Sequence, residues 1–386
     1  MSTGVAFVGA GEADRIGSVP DKSALQLHAE AATAALANAH LELSDVDGFF
    51  TCGLDFMPNL LVAEYLGLHP SVSGSNSIGG SSFVAHAHEA IQAIESGACD
   101  VVLITHGETR RSNAKRGVTT RPAHDDPWFP DWQWERPWGV MTPPPAYALA
   151  ASRHMHEYGT TSEQLAEIAV ATRAWAALNP MAKNRDPLTV DAVMSTPWFV
   201  YPFHVLDCCL VTDAGGAVVL TSTERARTLG VPVVEILGSG VHHTHYGISN
   251  MPDLTVTPAA VSGRMAFEQA GVSPEDIDVA ELYDSFTYTV LVTLEDLGFC
   301  AKGAGGEFVS GQRTAPGGEF PLNTSGGGLS YTHPGMFGMF LMIEAVRQLR
   351  GEAGDRQVAD AQLGVVNGMG GYLSSAATLV LARSES

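Results

Sequence analysis

Asn323-Thr-Ser-Gly-Gly-Gly-Leu-Ser-Tyr-Thr-His-Pro334 is the stretch on which the reading of this chain turns. It follows a Pro/Gly-rich run and precedes an apolar segment from Met336 to Leu349, so it reads as a tight loop feeding a helix. Consecutive glycines let backbone N–H groups approach a ligand closely, and a helix N-terminus adds positive potential. That combination suits a thioester oxygen becoming an enolate, and His333 stands where such an oxyanion wants a donor. A glycine-rich turn with an incidental histidine would have the same composition.

Composition narrows the class. With 386 residues, 45% of them hydrophobic and 16% charged, the chain is long enough to bury a large core and has an ordinary soluble balance. A net charge of −21 argues against nucleic acid and anionic membrane as partners. Cys52, Cys99, Cys208, Cys209 and Cys300 are odd in number and irregular in spacing, which points to reduced thiols and not to a disulfide framework or zinc site. The start has no basic and apolar leader, and no long uncharged apolar run follows. The expectation is a cytoplasmic protein that meets neither membrane nor nucleic acid.

Working outward, Ser23 can cap a helix over about 24–39, and Ser77-Ile-Gly-Gly-Ser-Ser opens another running to about Ser96. Gly9-Ala-Gly11 lacks the full G-x-G-x-x-G pattern, so nucleotide binding is set aside. Ala266 to Asp278 repeats Ala35 to Asp47 at a constant offset of 231: a helix ends, a turn follows, and an Asp-aliphatic-Asp step enters a strand. The Gly79-Gly80 loop and its helix are echoed by the Gly326–Gly328 loop and its helix. Duplicated strand–helix units imply two similar α/β halves, expected at 1–230 and 231–386. His86 and His88 lie two apart on different helix faces, and His242, His243 and His245 have no fixed ligand spacing, so no metal site is expected.

A different texture covers about 109–200. Arg110, Arg111, Lys115, Arg116 and Arg121 cluster, followed by Trp128, Trp132, Trp134 and Trp138 among prolines. Such a segment reads as a functional loop whose cations meet the phosphates of coenzyme A and whose tryptophans wall an acyl pocket, or equally as an oligomer contact.

The glycine loop resembles that of the sterol-carrier-protein branch of the thiolase superfamily, Asn-Pro-Ser-Gly-Gly-Leu-Ile-Ser-Lys-Gly-His-Pro. Glu281-Leu-Tyr-Asp-Ser-Phe286 resembles that branch's Glu-Leu-His-Asp-Cys-Phe. The resemblance spans Val5 to Leu381 and implies a thiolase fold, two duplicated α/β halves in a layered αβαβα core. It implies an acyl-CoA thioester as substrate and no further cofactor, with Asn323, Ser325, Gly326, Gly327, Asn367, Gly370, Gly80 and Ser82 as the substrate and CoA-binding positions. Leu206-Asp-Cys-Cys-Leu-Val-Thr-Asp-Ala-Gly resembles the branch's Cys-x-x-x-Asp-Gly-Ala-Ala start of a strand, which makes Cys208 and Cys209 structural.

A thiolase cysteine would fall near Gly80, and none is there. Ser285 stands at the second cysteine position, and Asn367-Gly-Met-Gly-Gly replaces the C-terminal Cys-x-Gly-Gly-Gly loop. Tyr283 matches another branch, the thiolase-like aldolases of bacterial steroid side-chain degradation, in which a second tyrosine lies about fifty residues further on. Here His333 stands at that distance and Tyr331 two before it, so either can hold the second acid–base role. By resemblance such aldolases work with a small OB-fold, zinc-ribbon partner, and thiolases are typically dimers or tetramers, a homodimer being expected here. The expected function is retro-aldol cleavage of a β-hydroxyacyl-CoA by acid–base chemistry. The alternatives are an acyltransferase of the thiolase type and a non-catalytic acyl-binding or lipid-binding subunit.

Overall fold

Ser23 opens the first helix through a reciprocal cap: its Oγ accepts from the Gln26 N–H at 3.2 Å, and the Gln26 side chain accepts from the Ser23 N–H at 2.8 Å. The helix Ala24–Asn38 follows. Described by a computed structural model, residues 3–54, 56–117 and 127–384 carry eleven strands: β1 (Val5–Glu12), β2 (Gly48–Thr51), β3 (Val72–Gly74), β4 (Val101–Glu108), β5 (Trp198–Val200), β6 (Phe203–His204), β7 (Ala214–Ser222), β8 (Val234–His243), β9 (Val279–Leu282), β10 (Leu363–Gly370) and β11 (Ser375–Arg383). β5 and β6 form a separate hairpin, and the other nine run in the order β3-β2-β4-β7-β1-β8-β11-β10-β9.

That order is nearly a palindrome. Moving outward from the β1–β8 junction, which is only two residue pairs long, each side has an antiparallel neighbour and then further strands ending in a parallel pair. The helices Ser82–Glu95 and Gly338–Arg350 pack on each other and on strands of both sides, while Ala24–Asn38 covers β1, β4 and β7 and Ala259–Ala270 covers β8 and β11. With the sheet's two halves, joined at β1–β8, counted separately, the layers run helix, half-sheet, helix pair, half-sheet, helix, as expected for a thiolase core. All eight residues of β4 are buried, the signature of a strand covered on both faces.

The duplication is physical as well as textual. Asp47 accepts from the Asp100 and Val101 N–H groups, and Asp278, 231 positions later, accepts from the Gln362 and Leu363 N–H groups. A Cβ on Gly9 would lie 2.2 Å from the Ala35 carbonyl, and one on Gly238 would lie 2.1 Å from the Ala266 carbonyl. These glycines let a helix backbone sit directly on a strand, which is why Gly9-Ala-Gly11 is a packing motif. Two elements differ from expectation: β1 is twice the length read from Val5–Val8, and a 3₁₀ turn at Gly79–Ser81 delays the second helix to Ser82. Among the described residues no helix is long and apolar enough to cross a membrane.

Candidate functional site

β9 ends at Leu282 and delivers Tyr283, whose N–H donates to the Asn367 carbonyl of β10 at 2.9 Å. Its hydroxyl lies 3.0 Å from His333 Nε2 and accepts from the Phe337 N–H at 3.2 Å. Phe337 is the cap of the Gly338–Arg350 helix, so that end of the helix favours negative charge on the tyrosine oxygen. Tyr283 and His333 are 4% and 8% exposed, dry enough that their contacts act at low dielectric. Burial, with the Arg110 charge nearby, pushes the His333 imidazole down to about 3. Burial and the adjacent Cys209 hold the Tyr283 phenol well above its ordinary value. The resting pair is a neutral phenol hydrogen-bonded to a neutral imidazole.

The glycine loop is shaped to hold this pair. Gly326 and Gly327 adopt φ of +97° and +58°, and a single π turn spans Gly327–Tyr331. Asp284 accepts from the Gly328 N–H at 2.7 Å and the Leu329 N–H at 3.1 Å, and burial raises its carboxyl to about 7 against those two bonds. Those amides are consequently spent on Asp284 and not presented to a ligand.

Gly80 explains the missing nucleophile. A Cβ there would lie 2.2 Å from Tyr283 Cζ and 2.4 Å from the Met369 carbonyl, so the tyrosine ring fills the space a cysteine side chain would need. Nearby thiols do not substitute: burial pushes Cys52 up to about 12 and raises Cys209 further. Ser82 Oγ accepts from the Ile78 N–H at 2.9 Å and donates to the Gly79 carbonyl at 2.7 Å, holding the turn.

Several expected site residues bond to the protein itself. Tyr331 turns away from Tyr283, and its hydroxyl donates to Glu12, which pairs with Arg347 at 2.5 Å. Of the two candidates for the second acid–base position, His333 is the one that lies against Tyr283. Asn323 Oδ1 accepts from the Leu282 N–H at 2.7 Å, Ser325 Oγ from the Gly327 N–H at 3.2 Å, and Asn367 Nδ2 donates to Thr378 at 2.8 Å. A Cβ on Gly370 would meet the Ile78 carbonyl at 1.9 Å, so that glycine serves loop-on-loop packing. Among the described residues neither Asn323 Nδ2 nor Asn367 Oδ1 has a partner.

Other residues enlarge the site. Arg110 and Glu108 flank Gly335, and Cys209, read as structural, donates its N–H to the Ser285 carbonyl at 2.9 Å, next to Tyr283 and Asp284 in the chain. Arg110 was legible only as part of a basic cluster; nothing in the Cys208-Cys209 spacing announces that contact. Arg111 and Arg116 reach the Val211 and Pro20 carbonyls, and Arg121 lies outside the described residues. Trp128, Trp134 and Trp138 stand exposed, while Trp132 stacks on Arg136. A surface groove of about 620 Å³ beside Phe267, Pro274 and Leu297 includes neither Tyr283 nor His333. His86 and His88 bond the Asn76 carbonyl and Ser239, His243 bonds Ser375 and His245 the Tyr372 carbonyl. No metal-sized cluster occurs among the described residues.

Comparison with known proteins places the chain among thiolase-fold relatives. Residues 240–383 match the family described as thiolase C-terminal domain-like. A steroid side-chain-cleaving aldolase of Thermomonospora curvata is 37% identical over 86% of each chain. The 17-hydroxy-3-oxo-4-pregnene-20-carboxyl-CoA lyase of Mycobacterium tuberculosis is 36% identical over 91% of this chain and 92% of its own. An acetyl-CoA acetyltransferase of Methanothermobacter thermautotrophicus is 33% identical over 98% and 99%. The solved Ltp2-ChsH2(DUF35) aldolase superposes with a TM-score of 0.89 at 34% identity, covering 99% of this chain and 98% of that one.

Proposed function

Because this chain belongs to the thiolase superfamily, with acyl-CoA lyases and aldolases among its relatives, we propose that it cleaves the Cα–Cβ bond of a β-hydroxyacyl-CoA by retro-aldol chemistry. The observation that carries the reading is the Tyr283–His333 contact of 3.0 Å, made by a ring that occupies the nucleophile's place at Gly80. The β-hydroxyl proton passes to the Tyr283 oxygen as the tyrosine proton moves to His333 Nε2. The O–H electron pair becomes the carbonyl of the released ketone or aldehyde. The Cα–Cβ pair becomes the thioester enolate, and the proton held on His333 returns through Tyr283 to Cα. No acyl-enzyme is needed.

The chain works in this reading as a homodimer, with a DUF35 protein of the kind named in the solved aldolase as its partner. The substrate class is a thioester with a bulky, steroid-like acyl group, after the names of the relatives. To test it, the purified chain, with and without a DUF35 partner, is offered 17-hydroxy-3-oxo-4-pregnene-20-carboxyl-CoA and a panel of β-ketoacyl-CoAs, and products are read by mass. A ketone plus a shortened acyl-CoA is expected, with Tyr283→Phe lowering kcat by about a hundredfold or more. The acetyltransferase relative motivates a second reading, thiolase-type acyl transfer. CoA-dependent cleavage of the β-keto panel that survives Tyr283→Phe would select it.

A further inference from the structure

The segment Cys209–Asp213 leads from the β5–β6 hairpin to β7 and lies across both site loops: the Cys209 N–H donates to the Ser285 carbonyl at 2.9 Å and the Leu210 N–H to the Gly328 carbonyl at 2.9 Å. Thr212, fully buried, then grips His333 from both sides of its backbone. Its Oγ accepts from the His333 N–H at 2.8 Å, its N–H donates to the His333 carbonyl at 3.2 Å, and its hydroxyl is 2.8 Å from that of Thr332. Asp213 anchors the far end: its carboxylate accepts from the N–H groups of Val19 at 2.9 Å and Ser112 at 3.0 Å, and from the Ser112 hydroxyl. The backbone beyond His333 is Pro334 and Gly335, the latter at φ +115°, and supplies no such hold.

The geometry points to Thr212 as a positioning residue that sets the Tyr283–His333 distance, an inference that rests on the acid–base pair proposed above. The pair must stay within hydrogen-bond reach, and a displacement of about 1 Å can cost a hundredfold in rate. A hydroxyl accepting the His333 amide proton leaves the histidine backbone one seat. Valine keeps the volume but leaves that buried N–H unpaired.

The test uses the full chain with its DUF35 partner. Thr212→Val is expected to lower kcat on 17-hydroxy-3-oxo-4-pregnene-20-carboxyl-CoA by about tenfold or more with KM within about twofold, and Thr212→Ser to restore most of it. A second readout needs no substrate: in ¹⁵N-histidine-labelled protein, the His333 Nε2 resonance should move in Thr212→Val toward its position in Tyr283→Phe, and stay in Thr212→Ser. Unchanged kcat and resonance in Thr212→Val would overturn the inference, as would an equal fall in both variants. If Tyr283→Phe turns over normally, the reaction assignment fails by itself, and the resonance alone decides the clamp.

Discussion

At Gly80 a single hydrogen stands where the superfamily resemblance leads one to look for a thiol, and the Tyr283 ring explains why nothing larger fits. Gly80→Cys should therefore not convert the chain into a thiolase. The added Cβ and sulfur must displace the ring or the Met369 carbonyl, and the expected cost is about 1–3 kcal/mol of stability. Thermal melting together with CoA-dependent cleavage of a β-ketoacyl-CoA checks both halves of that statement. His333 carries a second prediction. Its imidazole titrates at about 3 when folded and near 6.5 when unfolded, so the unfolded chain binds the extra proton between those values. The stability it contributes is present above pH 6.5 and lost as pH falls toward 3. Relative to wild type, His333→Gln should gain about 2 kcal/mol in going from pH 7 to pH 5, measured by urea unfolding at each pH.

One level up, the element that matters is the π turn Gly327–Tyr331. Its shape comes from two positive-φ glycines, but its position comes from Asp284, which belongs to the loop after β9. Asp284→Asn replaces one acceptor with an N–H₂ group facing an amide donor. The expected outcome is a loss of about 2 kcal/mol, faster hydrogen exchange at Gly328 and Leu329, and reduced turnover. The glycine run and the succeeding helix were legible because conformational freedom and apolar spacing are local properties. That the loop's amides are consumed by Asp284, and that Tyr331 is drawn off to Glu12, could not be read from spacing, since both partners arrive from other parts of the chain.

For the whole molecule, the repeat at an offset of 231 predicts equivalent mechanical roles for equivalent residues. Asp47→Ala and Asp278→Ala each remove a carboxylate holding two backbone N–H groups at the start of a strand, β4 in one case and β10 in the other. Each should cost about 1 kcal/mol, and the double variant should be additive because the anchors share no partner. Denaturant titration of the three variants settles it. The same pseudo-symmetry explains the site's location. The paired helices Ser82–Glu95 and Gly338–Arg350 pack on both halves of the sheet, and their leading loops bring Gly80 against Tyr283 and Phe337 beside its hydroxyl.

The amino-acid sequence by itself determined the duplicated α/β plan, the capped first helix, the glycine loop and the lack of a cysteine at its expected place. Each of these depends on residues close together in the chain or on a repeat visible within it. Only the tertiary structure decided that His333 meets Tyr283 while Tyr331 meets Glu12, and that Thr212 seats the histidine. Those contacts join residues fifty to more than three hundred positions apart. A hydroxyl reaches only about 3 Å, so its partner is chosen by which strands and loops converge and not by any neighbour in sequence.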